Sequence, residues 1–376
     1  MLRKVPASGG VGTRVAGVAL ALFTAASQAI VLPENRSDAL YHYYDGGGVT
    51  VSGPALLVRK SIGESVSVSA RYYADAVSSA SIDVVTQASP YKDKRNEYGA
   101  GIDYLRGNTL VGFSYTTSKE NDYLADTINV SVAHEIFGGM TTVNLGYAQG
   151  DDTVKRVDTD FEDHVDRYNY RLGVSQVLTK RWVMSLDYES VLDSGYLQNP
   201  YRYAVVQGVF TEESYPRTRD SNTVTLRSQY GLGTVDSRLT SSLTAYYRYF
   251  WDTWDIRAHT LELGYQLRGA MLGADHWIAG VRYRYYAQNA ASFYSDNFAT
   301  QMQYMARDKE LSTFHSHLAG VSLTHTFGRW SIFDRGSLNA AYDFTRFKYD
   351  DFTDVRNGEL YSFDAHILQL FLSLWY

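Results

Sequence analysis

The sequence has no cysteine and only six prolines in 376 residues. It also has no uninterrupted apolar run of the roughly 18 residues that a membrane-crossing helix needs. Without cysteine there is no disulfide scaffold, no thiol redox chemistry and no haem attached through a cysteine pair. Without a long apolar run, a chain that crosses a membrane must do so as a closed β-barrel. No Pro-, Ser- or Gly-rich linker, low-complexity tract or long repeat divides the chain. Basic residues are also in the minority, 35 Lys and Arg against 41 Asp and Glu. That balance argues against a nucleic-acid partner, which would want a basic face.

The first 29 residues have the order of a secretory leader. Arg3, Lys4 and Arg14 are basic, Val15 to Ala26 is apolar, and Ser27 and Ala29 place small residues before an expected cleavage point. Removing the leader takes away three basic residues and no acids, and moves the formal charge from −6 to −9. The rest, residues 30–376, reads as one domain.

That domain alternates apolar and polar residues again and again. "VSVSARY" sets Val66, Val68, Ala70 and Tyr72 against Ser67, Ser69 and Arg71. "WIAGVRYRYYAQ" sets Trp277, Ala279, Val281, Tyr283 and Tyr285 against Gly280, Arg282, Arg284 and Tyr286. A period of two means strands with one oily and one polar face. Mean hydropathy is −0.28, a soluble-looking value, but a membrane barrel averages out in the same way.

Connections alternate in length. Short ones are expected near Lys60, Arg106, Phe137, Leu178, Gly231 ("GLGT"), Gly269 and Gly328. Longer polar ones are expected over Asp75 to Arg95, Gly150 to Asp163, Asp193 to Asp220, Asn289 to Glu310 and Tyr349 to Tyr361. Short periplasmic turns and long outer loops are the habit of outer-membrane barrels. The last strand and the turn near Lys60 must share one rim, so "SDALYHYYDGGG" must supply the first strand. The expectation is all-β: a single up-and-down antiparallel transmembrane barrel of about sixteen strands. One segment breaks parity: Ile256 and Ala258 differ from the Leu261 to Leu267 ladder, which predicts a bulge near His259 or a strand standing above the membrane.

Aromatics fall near the proposed strand ends, among them Tyr72, Tyr104, Tyr147, Trp182, Tyr249, Trp251, Trp277, Tyr342 and Trp375, as two interfacial girdles would require. The polar faces carry both signs. Candidate lumen-facing charges are Arg71, Glu97, Asp103, Arg167, Arg171, Asp187, Glu189, Arg227, Arg248, Glu262, Arg282, Arg284 and Asp343. They could set a field across a water-filled pore, or fill the lumen with ion pairs. Sequence alone does not place them around a circumference.

Candidate chemistry is thin. His315 and His317 share a strand face but lack a third metal ligand. Gly150 to Asp166 is rich in acids but lacks the glycine-centred calcium loop. Ser316 lies between two histidines, yet sequence neighbours on a strand point to opposite faces. No catalytic, cofactor-binding or metal residue is assigned, and no cofactor is expected.

"LVRKSIG" (Leu57 to Gly63), "SASIDVVTQASPY" (Ser79 to Tyr91) and "YGAGIDY" (Tyr98 to Tyr104) resemble the outer-membrane family catalogued as domain of unknown function 3570. The resemblance runs over most of the chain after the leader. It implies an outer-membrane β-barrel and brings no activity or catalytic residues. It also implies a neighbourhood of small lipoproteins and flavin-transferring enzymes, and so an envelope redox link. Within "SIDVVTQASP", the apolar Ile82, Val84 and Val85 fit either a segment that narrows the pore or a loop with its own small cluster.

The chain closes on "HILQLFLSLWY". Leu368, Leu370, Leu372, Leu374 and Tyr376 form one apolar face. This is the form of the signal read by barrel-assembly machinery, with Leu370, Leu372, Leu374, Trp375 and Tyr376 as its core (a family-level inference). Three functions stay open: a porin-like channel for small solutes, a docking barrel for a periplasmic redox partner, and a barrel-embedded enzyme. Expected partners are outer-membrane lipid and lipopolysaccharide, the assembly machinery, and a periplasmic or lipoprotein partner. The expected location is the bacterial outer membrane.

Overall fold

The computed structural model describes residues 30–79, 91–236, 239–271 and 274–376. The expected leader and the Ser81 to Pro90 segment lie outside them. Sixteen strands close into one antiparallel barrel. In chain order they are β1 (Arg36–Gly46), β2 (Val49–Ile62), β3 (Val66–Ser79), β4 (Tyr91–Arg106), β5 (Thr109–Lys119), β6 (Tyr123–Ile136), β7 (Thr141–Lys155), β8 (Glu162–Thr179) and β9 (Trp182–Gly195). After a separate hairpin of β10 (Tyr203–Val206) and β11 (Val209–Glu212) come β12 (Thr218–Asp236), β13 (Leu239–Asp252), β14 (Arg257–Met271) and β15 (Ala274–Gln288). The last three are β16 (Phe314–Phe327), β17 (Arg335–Thr353) and β18 (Leu360–Trp375). Each barrel strand pairs with the next, and β1 closes on β18 with Tyr41 opposite Leu370 and Arg36 opposite Trp375. Closure removes both sheet edges, so every barrel strand finds backbone partners on two sides.

Alternation decides which way each side chain points. Val111, Phe113 and Tyr115 on β5 are exposed on the outward face, and so are Leu368 and Leu370 on β18. Exposed apolar area of this extent is unstable in water and is stabilised against lipid. The opposite parity carries Ser, Thr, Gly and charge, and faces the lumen. Gly63 and Gly107 adopt positive φ at +66° and +57° and close two of the tight turns on the rim shared with the chain ends.

Three expectations change. "GLGT" is not a turn: β12 runs through it to Asp236, with a register shift between Gly231 and Gly233. Gly233 takes φ +89° there, so the glycines bend a strand rather than end it. Of the two alternatives at His259, the bulge is excluded. The β13–β14 register runs unbroken from Leu239–Gly269 to Trp251–Arg257, and His259 stays on the outward face, where it meets the Tyr247 hydroxyl at 2.8 Å. Trp375 takes the inward parity, with the Arg335 guanidinium 4.7 Å above its ring, so it does not join the lipid-facing girdle.

The largest packed clusters lie at the outer end. Tyr215, Trp254, Ile256, Ala291, Phe293, Ala306 and Leu311 form one core, and Tyr349, Phe352 and Tyr361 form another. Their residues come mostly from connections. The outer connections, especially β9–β12 and β15–β16, therefore fold as structured units.

Candidate functional site

The inner wall of the barrel is the candidate site. Its ion pairs run along the wall between near neighbours. On β3 and β4, Arg71 lies 3.8 Å from Glu97, which also binds Arg95 at 2.7 Å. On β8 and β9, Arg167 pairs with Asp193 at 2.6 Å and Arg171 with Glu189 at 2.9 Å. Asp187 accepts from the Ser185 hydroxyl at 3.4 Å. On the far wall Arg282 reaches over β16 to Asp343, with Nε to Oδ1 at 3.0 Å. Asp103 lies in the field of Arg59.

Glycines make room for these side chains to lie flat. A Cβ at Gly320 would overlap the Asp343 carboxylate and crowd the Arg282 stem, and one at Gly99 would overlap Arg71. Arg71 and Arg171 keep 49% and 59% of their side-chain surface accessible, although both point inward. Sixteen strands give a barrel wide enough for an aqueous channel.

The charges are not spread evenly around the circumference. Inward positions of β12 to β15 carry Arg219, Arg227, Arg248, Arg268, Arg282 and Arg284 against only Asp252 and Glu262. From β4 to β9 the same face carries Asp93, Glu97, Asp103, Glu135, Asp152, Asp187, Glu189 and Asp193 against Arg95, Arg167 and Arg171. Arg219 is tied to Asp252 at 2.6 Å. Arg227 sits over the Tyr246 ring at 5.5 Å, and Arg248 donates to the Thr223 hydroxyl at 3.4 Å. Glu262 lies between Tyr246 and Arg284 in the cross-strand register.

At the outer end, chain covers part of the inner wall. The β9–β12 and β15–β16 connections join through the Val206–Phe298 and Ser214–Met305 bridges. Ser214 and Met305 exchange backbone hydrogen bonds of 3.0 and 2.8 Å. Arg307 ties this unit to β17, where its guanidinium donates to the Thr353 carbonyl at 2.7 Å, and Arg202 pairs with Asp308 inside it. The β15–β16 connection packs against the inward face. Tyr294 lies with Tyr349 and Phe347, and Lys309 and Glu310 act on Tyr44 of β1. The inward residues Ala258, Ser316, Leu318, Thr345 and Ala365 are buried, as a covered wall requires.

Two acid clusters hold this unit in place. Burial pushes the Glu213 carboxyl up to about 7, and it accepts from the Arg307 backbone N–H at 2.6 Å and the Tyr215 hydroxyl at 2.8 Å. At the β5–β6 connection, carboxylate oxygens of Asp93, Glu120 and Asp122 lie within 4.8 Å of one another. Burial pushes Glu120 up to about 7 against the opposing pull of Arg95, and burial, then the Asp93 charge, push Asp122 up to about 6. Asn121 donates to Asp93, and Tyr201 of the β9–β12 connection binds Asp122. These three acids could together hold a cation, and sequence reading did not pick them out, because β4 and the β5–β6 turn converge only in the fold.

His315 and His317 lie on the outward face. His317 meets the Tyr283 hydroxyl at 2.7 Å, while Ser316 is buried on the inward side, so the three do not converge. In the acidic stretch, Asp163 pairs with Arg217 and Glu162 with Lys155. Arg219, Arg268 and Asp152 also belong to the inner wall. They sit at the polar ends of strands, where no apolar ladder marked their parity.

Fold and site together define an outer-membrane β-barrel with a polar inner wall. More particularly, the chain belongs to the family described as protein of unknown function (DUF3570), whose model matches residues 82–345. No curated protein matches it in sequence. Among solved structures it is similar to a bacterial polysaccharide outer membrane secretin, at 8% identity and a TM-score of 0.54, over 92% of this chain and 100% of that one. It is also similar to Pseudomonas aeruginosa OccK1 (OpdK), at 11% identity and a TM-score of 0.44, over 92% and 100%. For a Pseudomonas aeruginosa FadL homologue the values are 9%, 0.43, 91% and 90%. At such identities the likeness concerns the fold.

Proposed function

We propose that this protein is a passive outer-membrane channel for small hydrophilic solutes, constricted at its outer mouth by the joined β9–β12 and β15–β16 connections. The observation that carries the reading is the accessibility of inward charges in mid-wall, Arg71 and Arg171 above all. A lumen filled by side chains would bury them, because an interior packs to near-crystal density. Ion pairs that hug the wall over glycine leave the axis to water.

The test is single-channel recording in a planar bilayer. Purified, folded barrel is expected to insert in discrete current steps of uniform size, ohmic at low voltage. Folded protein that inserts without current would defeat the channel reading and favour a docking barrel.

A further inference from the structure

We propose that the β12–β15 wall is a binding station for small organic anions that join a carboxylate to a flat apolar body. This rests on the channel reading, since the ligand must reach the inner wall. Three inward arginines of this wall, Arg227, Arg248 and Arg284, have no carboxylate within 4.0 Å among the described residues, in contrast to the paired Arg167, Arg171 and Arg282. A guanidinium is never neutralised by losing its proton, so its charge stays available to a solute.

Aromatic rings stand among these cations. Arg227 lies opposite Tyr246, and Arg248 is 5.9 Å from the centre of the Phe250 ring. The Tyr286 hydroxyl sits in the combined field of Arg248, Arg219 and Arg284 and donates to Gln288 Oε1 at 2.6 Å. Gln288 in turn donates to the carbonyls of Glu310 and Ser312 in the connection that narrows the mouth. The station therefore lies just below the constriction, where a solute is held closest to the wall.

The chemistry follows from the parts. A guanidinium fork takes a carboxylate with two parallel hydrogen bonds. Tyr246, Phe250 and Tyr286 offer ring faces to a planar apolar body. Asp252 and Asp343 near the group are tied to Arg219 and Arg282, and Glu262, which has no such partner, disfavours a second negative charge on the ligand. The fit is to a monoanion rather than to a polyphosphate.

The experiment uses benzoate as the probe. Added to one side of a bilayer holding wild-type channels, it is expected to reduce the current in KCl, with half-block at millimolar concentration. Acetate should need several-fold more, and benzylammonium should not block. In the double variant Arg248→Gln/Arg284→Gln, the half-blocking concentration is expected to rise about tenfold or more, as loss of charge-assisted pairing implies. Arg346→Gln, on the lipid face, should leave the benzoate block unchanged. Heat-modifiable migration reports that each variant is folded. Block that is undiminished in the double variant, or equal block by benzylammonium, overturns the station. Calorimetric titration of benzoate into the folded barrel in detergent separates the two proposals. Binding without current keeps the station and removes the channel; current with neither binding nor block does the reverse.

Discussion

Deletion of Trp375 and Tyr376 is expected to abolish assembly into the membrane, a larger loss than any single wall substitution should produce. The last two residues tie down the rim end of the β1–β18 seam. The Tyr376 N–H donates to the Asn35 carbonyl at 3.3 Å, and its hydroxyl donates to the Arg59 carbonyl at 2.9 Å. The Lys60 ammonium lies 4.9 Å from the centre of its ring. The Trp375 carbonyl accepts from Asp334 at 2.8 Å, and so ties β18 to the β16–β17 turn. Without these contacts the seam between β1 and β18 frays at the rim where both chain ends lie, and an open barrel exposes strand edges to lipid, which cannot satisfy them. Tyr376→Phe keeps the ring and should assemble. The measurement is the heat-modifiable band in isolated outer membranes. A truncated protein recovered there, folded and at wild-type level, would refute the prediction.

Replacing Ala290 to Ser312 by a two-residue Asn-Gly turn is expected to raise unitary conductance roughly threefold or more, since conduction follows pore diameter. That segment covers the inward face of β14 and of β16 to β18, and supplies Phe293, Ala306 and Leu311 to the main outer core. Its removal also takes away the partner of the β9–β12 connection, which loses the Phe298 and Met305 bridges and the Arg307 bond to Glu213. Limited proteolysis should then cut between Tyr196 and Arg217, where the intact protein is expected to resist. Unchanged conductance in a folded variant would mean that the narrowest point lies elsewhere.

The barrel was legible in the sequence because strand alternation is a local signal. Val66 to Tyr72 and Trp277 to Tyr286 state their two faces without any knowledge of their neighbours. The strand total followed from where the Leu368 to Tyr376 ladder and the turn near Lys60 must end. Circumferential order was not legible. That Arg227, Arg248 and Arg284 share one wall while Glu97, Asp152 and Asp193 share another depends on register summed over many hairpins. The joined outer connections were hidden for a related reason. Phe298 and Met305 follow neither period, and their bridge partners Val206 and Ser214 lie about 90 residues away, so a loop reading was all that local pattern could support. The bend at Gly231 and Gly233 misled because glycine marks both turns and strand bulges. The acids Asp93, Glu120 and Asp122 meet only once β4 lies beside β5.

A channel requires water and ions to fill the bore at mid-wall, and the absence of native cysteine offers a direct measurement. An Arg171→Cys variant carries a single thiol on the inner wall. A negatively charged, membrane-impermeant methanethiosulfonate added to an open channel is expected to react within minutes and to lower the current in a single step per channel. A folded variant whose thiol stays unreactive, while the same reagent labels a cysteine placed at the exposed Val209, would contradict the account.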